Sequence, residues 1–358
     1  MVSSEKLSPC KTPSATHERL SPYATPSATR EVLERHGLFT KYALGQNFLV
    51  NDDVVRKIMD LADVNATDHI LEVGPGIGTL TAALLQRAGR VTSIEMDHDL
   101  PAVLQDTLSP WLDRFTLLEM DGLDVRREHL EQAANTRVDT QTQGELLPVD
   151  ERQMQTESQT QDEQQAQLKP QVQSKLQESC LPNKLVSNLP YAVAATIVLD
   201  YLQRFDFLES ATVMVQKEVA DRMMAQPGTK AYGAYTVKLS LFAQAAGRFS
   251  VAPGNFFPPP HVESAVVRLD RTTVLDDEGS PLSAQELMAA CTMADAAFAT
   301  RRKTLANSCK TYFSSSPELA ALLPEFFEQA DIDPRRRGET LTRAEFVRLG
   351  KALTRAEM

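Results

Sequence analysis

From about residue 52 the apolar positions of the chain switch repeatedly between two periods. Asp53 to Ala62 sets Val54, Val55, Ile58, Met59 and Leu61 mainly along one helical face, whereas His69-Ile-Leu-Glu-Val73 is a short apolar run that ends in glycines. Leu80 to Gln86 is helical in pattern and Arg90-Val-Thr-Ser-Ile94 strand-like. Phe115–Glu119, Lys184–Ser187, Ala211–Val215 and Ser264–Leu269 continue the strand series. Such alternation predicts an α/β fold, a largely parallel sheet covered by helices. After Leu269 the pattern is purely helical, over Ser283–Thr300, Arg301–Phe313, Pro317–Glu328 and Thr342–Ala352, so 271–358 is expected to form a small all-helical C-terminal domain. Upstream, a helix is expected after Thr29, with Gly37 as its stop. Residues 1–28 carry a near repeat, Leu7-Ser-Pro to Thr16 and Leu20-Ser-Pro to Thr29, poor in groups that could be buried, and read as a flexible tail. Residues 131–181 hold about a dozen glutamines and few aromatics, the composition of a solvated, disordered insertion. A long helical hairpin is the alternative there, opposed by Gly144, Pro148 and Pro170. The sheet-bearing domain is then 29–270, interrupted by that insertion.

Composition narrows the class. The 358 residues are 42% hydrophobic and 24% charged, as in an ordinary soluble protein with a real core. No run approaches about 18 apolar residues, and the N-terminus lacks the apolar core of a secretory signal. Cys10, Cys180, Cys291 and Cys309 form no C-x-x-C pair, which argues against a zinc site or redox dithiol and suits a reducing, cytoplasmic setting. No metal is expected. A net charge of −11 discourages a surface that is basic throughout. By position, however, residues 1–130 carry −6, residues 131–181 carry −5, and residues 182–358 are balanced at 20 basic and 20 acidic side chains.

Two motifs carry chemistry. Leu71-Glu-Val-Gly-Pro-Gly-Ile-Gly78 follows a strand and opens a helix. Gly74 and Gly76 let the backbone approach a ligand, and Gly78 relieves packing. Glu95 closes the next strand about 20 residues on, where a ribose-binding carboxylate is expected. Tight-turn glycines without a ligand are the alternative, but the combination points to a nucleoside-containing ligand. The loop differs from a dinucleotide fingerprint and resembles the first motif of S-adenosylmethionine-dependent methyltransferases. The second motif is Asn188-Leu189-Pro190-Tyr191, just after the fourth strand, at the carboxyl end of a parallel sheet where ligands bind. The lone pair of an exocyclic adenine amine is delocalised into the ring. The Asn188 side-chain oxygen and a backbone carbonyl of the proline turn could hold its N–H groups and favour an attacking geometry. Tyr191 would stack on the base, a contact worth ~1–3 kcal/mol. A turn selected only for loop geometry is the competing explanation.

These residues carry a family resemblance. Lys41-Tyr-Ala-Leu-Gly-Gln-Asn-Phe-Leu49, Glu72 to Gly78, Ile94-Glu-Met-Asp97, Asn188 to Tyr191, Asn255-Phe-Phe-Pro-Pro-Pro-His-Val-Glu-Ser264 and Phe298-Ala-Thr-Arg-Arg-Lys-Thr-Leu305 make the chain similar to the ribosomal RNA adenine dimethyltransferases of the small subunit. The resemblance runs from about Thr25 to Leu349 apart from the Gln-rich insertion. It implies a Rossmann-like methyltransferase domain, S-adenosylmethionine as cofactor, and cofactor contacts from Asn47, Leu49, Gly74, Glu95, Asp121 and Asn188. Asp121 lies in Met120-Asp-Gly-Leu-Asp-Val125, where the family usually has Asp-Ala-Leu, so Gly122 is a departure and Asp124 a rival carboxylate. Phe256 matches the aromatic that helps hold the target base, with a core role as the alternative, and Phe257 is expected in the core. The Arg301-Arg302-Lys303 and Arg335-Arg336-Arg337 triplets, with Arg222 after the fifth strand, become RNA-contact candidates, although a basic triplet alone is usually a solvated face.

The expected function is dimethylation of the N6 amines of two adjacent adenosines near the 3′ end of small-subunit rRNA. The partner implied is an immature small subunit, with no membrane and a monomeric enzyme. A large-subunit methyltransferase of the macrolide-resistance type is one alternative. An assembly or nucleic-acid-binding factor in which catalysis is secondary is the other.

Overall fold

The computed structural model describes residues 19–39, 46–142 and 181–357. A seven-stranded sheet is its centre. We number the strands β1 (Phe48–Leu49), β2 (His69–Val73), β3 (Arg90–Glu95), β4 (Phe115–Glu119), β5 (Lys184–Asn188), β6 (Ser210–Gln216), β7 (Ala243–Val251), β8 (Phe256–Phe257) and β9 (Ser264–Arg271). The sheet order is β4-β3-β2-β5-β6-β9-β7, and β1 pairs separately with β8. The five strands from β4 to β6 are parallel, whereas β9 runs antiparallel to both β6 and β7. The sheet is thus mixed at one side rather than parallel throughout. Every residue of His69–Val73 is buried, as a strand covered on both faces requires.

The helices are α1 (Pro26–Arg35), α2 (Asp52–Leu61), α3 (Thr79–Arg87), α4 (Leu100–Thr107), α5 (Arg127–Thr142), α6 (Ala194–Arg204), α7 (Lys217–Met223), α8 (Ala234–Ser240), α9 (Ala284–Phe298), α10 (Leu305–Tyr312), α11 (Pro317–Gln329) and α12 (Arg343–Glu357). Helix α2 shows why the apolar pattern is a helix. Asn51 caps it by accepting from the amide of Asp53, acidic side chains fill its first turn, and Val54, Val55, Ile58 and Met59 form the buried stripe. Beneath the amino ends of β2 and β5, Lys184 and Asp68 form a buried ion pair of 2.8 Å, with Asn183 donating to the same carboxylate. Burial works against the charge on Asp68, but these two contacts, with a hydrogen bond from the Asn65 amide, outweigh it and hold the carboxyl below its usual range.

Three expectations need correction. The tail does not extend to residue 28. Helix α1 starts at Pro26 with Thr25 as cap, and ahead of it the amides of Leu20 and Ser21 donate to Asp52, while the Tyr23 hydroxyl donates to the Thr107 carbonyl. Residues 1–18 lie outside the described residues. The expected insertion begins later than 131, because α5 continues to Thr142; 143–180 lie outside the described residues. The boundary at 270/271 is also not clean. The core of the helical unit includes Tyr232 and Val237, from before it, and Ala290, Cys291 and Val347, from after it, join the sheet's core.

Candidate active site at the carboxyl ends of the parallel strands

The site begins where β2 and β5 part. Their ladder registers Ile70 with Lys184 and Leu71 with Leu185, and ends there. Two residues on, a single side chain spans the gap. Ser187 Oγ donates to the Val73 carbonyl at 2.6 Å and accepts from the Val73 amide at 3.3 Å. Strand order also reverses at this point, with β3 and β4 to one side of β2 and β5 and β6 to the other. Parallel sheets bind ligands at such a switch point.

The two sequence motifs face each other across this opening. Gly74 has a φ of +73°, and a Cβ there would lie 3.5 Å from the Pro190 ring and 4.0 Å from the Asn188 carbonyl. Gly76 also has a positive φ, and its Cβ would come within 3.1 Å of the Phe48 ring. Gly78, at φ +86°, packs on Thr107 and Leu108, next to α4. The glycine loop is therefore a backbone cradle whose missing side chains leave room at the crevice and against its neighbours.

Charged and polar groups surround the cradle. Glu95 ends β3, is 8% exposed, and accepts from the backbone amide of Asp97 at 2.9 Å. Burial pushes its carboxyl pKa up, against the backbone amides of Asp97, Gly76 and Met96. Asp121 is half-buried and caps a short turn by accepting from the Leu123 amide at 2.9 Å, whereas Asp124 is exposed. Gly122 is a packing choice: its Cβ would lie 2.9 Å from Val73 Cγ1, and its carbonyl accepts from the buried Tyr201 hydroxyl.

The β1–β8 pair brings a distant segment to the same place. Phe48 registers with Phe257 and Leu49 with Phe256. Asn51 and Asn255 bond side chain to side chain at 2.8 Å. This pairing delivers Asn47 to Asn188, whose Nδ2 donates to the Asn47 carbonyl at 3.4 Å. With the amide nitrogen so oriented, Asn188 Oδ1 remains as the acceptor. Leu189 is buried and donates its amide to Met214 of β6. Tyr191 is half-buried, and its hydroxyl is 2.6 Å from that of Ser264.

The structure brings together Asn47, Gly74, Glu95, Asn188, Leu189, Pro190 and Tyr191, with Asp121 after the neighbouring strand; Leu49, a cofactor contact by resemblance, is 3% exposed and its side chain packs into the core instead. It reverses the two phenylalanines. Phe256 is 3% exposed and sits in the core with Leu49 and Val186, whereas Phe257 is half-buried with the Arg30 guanidinium 5.2 Å above its ring. The ring of Phe256 is covered in this conformation and offers no face to a base. Sequence inspection missed Ser187, Ser264, Asp97 and Glu72. Asp97 is 6% exposed and accepts from the Gln46 side chain at 2.7 Å. A polar side chain inside or abutting a strand of otherwise apolar residues was the available signal for the first two.

The two basic triplets converge. Arg301 to Lys303 form a turn ahead of α10, not its first turn as expected, because Thr304 is the helix cap. The Leu305 amide donates to the Arg336 carbonyl at 2.6 Å and that of Ala306 to Pro334, stitching the two loops together. Arg301 donates to the Lys230 carbonyl and lies 3.7 Å from Glu339. Arg302 and Lys303 are exposed, Arg337 lies 3.9 Å from Glu339, and Arg335 pairs with Asp333 at the surface. Arg336 is different: it pairs with Glu345 of α12 and is spent on holding the loop. Arg222 pairs with Glu218 one turn back on α7. A cleft of about 500 Å³ lined by Thr67, His69, Asn183 and Glu209 lies at the opposite ends of the strands and contributes no residue to the crevice.

Comparison with known proteins places this arrangement. The profile of the family described as ribosomal RNA adenine dimethylase matches residues 39–348. The ribosomal RNA small subunit methyltransferase A of Enterococcus faecalis is 35% identical over 322 residues, 90% of this chain and 93% of the relative. That of Staphylococcus aureus is 35% identical, covering 89% and 91%. Among solved structures, a dimethyladenosine transferase from Plasmodium falciparum superposes with a TM-score of 0.60 at 20% identity, over 87% of this chain and 98% of the other. The 23S rRNA methyltransferase ErmE gives 0.54 at 20% identity, over 86% and 99%. The two structures share the fold.

Proposed function

The chain belongs to the ribosomal RNA adenine dimethylase family, and from that premise we propose that it dimethylates the N6 amines of two adjacent adenosines near the 3′ end of small-subunit rRNA. It is an S-adenosylmethionine-dependent methyltransferase of the α/β Rossmann-like class. The observation that carries the finer reading is the approach of Gly74 to the Asn188–Pro190 turn, 3.5–4.0 Å from a virtual Cβ, because it sets a cofactor cradle directly against a base-holding turn.

The residues fit the cofactor. A backbone cradle of left-handed glycines suits the methionine portion, the Glu95 carboxylate can accept from a ribose diol, and Asp121, held in a capping turn, could accept from the adenine amine. Asn47 closes the crevice from the β1 side, with Leu49 behind it in the core. Bound there, the cofactor supplies an electrophilic methyl group. The chain's own part is positioning. Asn188 Oδ1 and a carbonyl of the proline turn accept the N6 protons, and Tyr191 supports the base. Methylation would leave N6 cationic and readily deprotonated by water, so no strong base would be required of the chain. The adenine must be single-stranded or flipped to arrive.

Arg301, Arg302, Lys303, Arg335 and Arg337, with Arg222 apart from them, are the phosphate contacts this proposal assigns. Their confinement to one patch on a chain of net charge −11 means that shape and ribosomal proteins supply the rest of the recognition of an immature small subunit. We take the enzyme to act as a monomer in the cytoplasm; among the described residues no helix is long and apolar enough to cross a membrane. The test is labelled S-adenosylmethionine with unmodified small and large subunits. Two dimethylated adenosines in the small subunit are expected, with Asn188→Ala cutting transfer by about a hundredfold or more while leaving particle binding intact. Label confined to large-subunit RNA, or none, overturns the assignment.

A further inference from the structure

Ser264 stands at the start of β9, wholly buried, registered with Gln216 of β6 on one side and Val251 of β7 on the other. It cannot touch a substrate. Its hydroxyl lies 2.6 Å from that of Tyr191, whose ring is half-buried at the crevice. Other contacts hold the rest of the Asn188–Tyr191 turn: Asn188 Nδ2 donates to the Asn47 carbonyl, Leu189 is buried and donates its amide to Met214, the Val193 amide donates to Pro190, and the Pro190 ring rests near Gly74. None of these contacts fixes the Tyr191 side chain. The bond to Ser264 is the polar contact that pins the far end of the ring, and it ties the base-holding turn to the antiparallel part of the sheet.

We propose that Ser264 is a positioning residue for Tyr191, fixing the ring against which the target adenine stacks and so setting how efficiently the second methyl follows the first. This rests on the function proposed above. After the first transfer the amine carries a methyl group that must be turned aside before the remaining N–H can be held by Asn188 and the turn carbonyl. The monomethylated base therefore tolerates less wandering of its stacking partner than the unmodified one. A pinned ring favours completion, and a loose ring releases the intermediate.

The experiment compares wild type, Ser264→Ala, Tyr191→Phe and the double variant on unmodified small subunits, with N6-methyladenosine and N6,N6-dimethyladenosine quantified separately. Expected for Ser264→Ala is a fall of about five- to tenfold in kcat, accumulation of the monomethyl product, unchanged cofactor affinity and unchanged particle binding. Tyr191→Phe removes the same bond from its other end, so the double variant should be no slower than either single one. Multiplying defects, or a lowered thermal midpoint with a normal ratio of products, would show a merely structural serine and overturn the proposal. A wild-type enzyme that leaves small subunits unmethylated would instead refute the function on which it rests.

Discussion

Glu72 sits in the middle of the sheet, 1% exposed, between a helix and a neighbouring strand. Thr81 and Ser93 each donate to the same carboxylate oxygen at 2.8 Å. Burial nevertheless pushes the carboxyl up to about 7, with Glu95 adding to the rise and the two hydroxyls opposing it. A raised carboxyl pKa favours the folded state most below the unfolded value, and that advantage is lost as pH rises through 7. The difference amounts to ~3 kcal/mol. Urea unfolding should therefore show wild type losing about that much stability relative to Glu72→Gln between pH 4.5 and pH 8; parallel pH profiles would contradict it. At this scale the sequence was legible where spacing carries meaning. Gly74, Glu95 and Asn188 stand at the strand ends from which their spacing singled them out, and Asp121 is half-buried whereas its rival Asp124 is exposed. The side of a ring or the partner of an arginine is decided elsewhere in the chain. Phe256 is turned inward by pairing with Leu49, and Arg336 is taken by Glu345.

Among the elements, the buried parallel strands announced themselves because they are continuous apolar runs. Strand β7 did not. Ala243-Gln-Ala-Ala-Gly-Arg-Phe-Ser-Val251 is small and polar, largely exposed, and its pairing slips between Ala245 and Gly247. At Gly247 a Cβ would stand 2.6 Å from Leu61 Cδ1, the movable end of a side chain, so packing favours the glycine that hides the strand in sequence without strictly demanding it. Gly350 is a stricter case, between helices. It lies where α12 crosses α9, and a Cβ there would be 2.6 Å from the Ala290 nitrogen and 2.8 Å from its Cα. Backbone cannot give way as a flexible side chain can. Gly350→Ala should separate the two helices and cost ~1–3 kcal/mol, read as a lower melting temperature by calorimetry. An unaltered midpoint would mean that the crossing is looser than described.

Seen whole, the molecule joins its two halves through shared core rather than through a linker. Val237 and Leu239 are neighbours on α8, yet the first packs into the helical core and the second into the sheet's core. This is why a boundary drawn where strands cease could not be sharp. The Gln-rich stretch is framed differently. Leu130 before it and Leu181 after it are buried in the same core cluster, so both ends are anchored without it. Joining Thr142 to Glu178 through a short Gly-Ser linker should leave cofactor affinity and methylation intact, measured by titration calorimetry and by label transfer. Lost cofactor binding would make the stretch an integral part of the fold. The gap between β2 and β5 has a different bearing on the whole. Because the ladder ends at Leu71 and Leu185 and the Ser187 hydroxyl both donates to the Val73 carbonyl and accepts from the Val73 amide, the two strands part at the crevice without leaving either buried backbone group of Val73 unsatisfied.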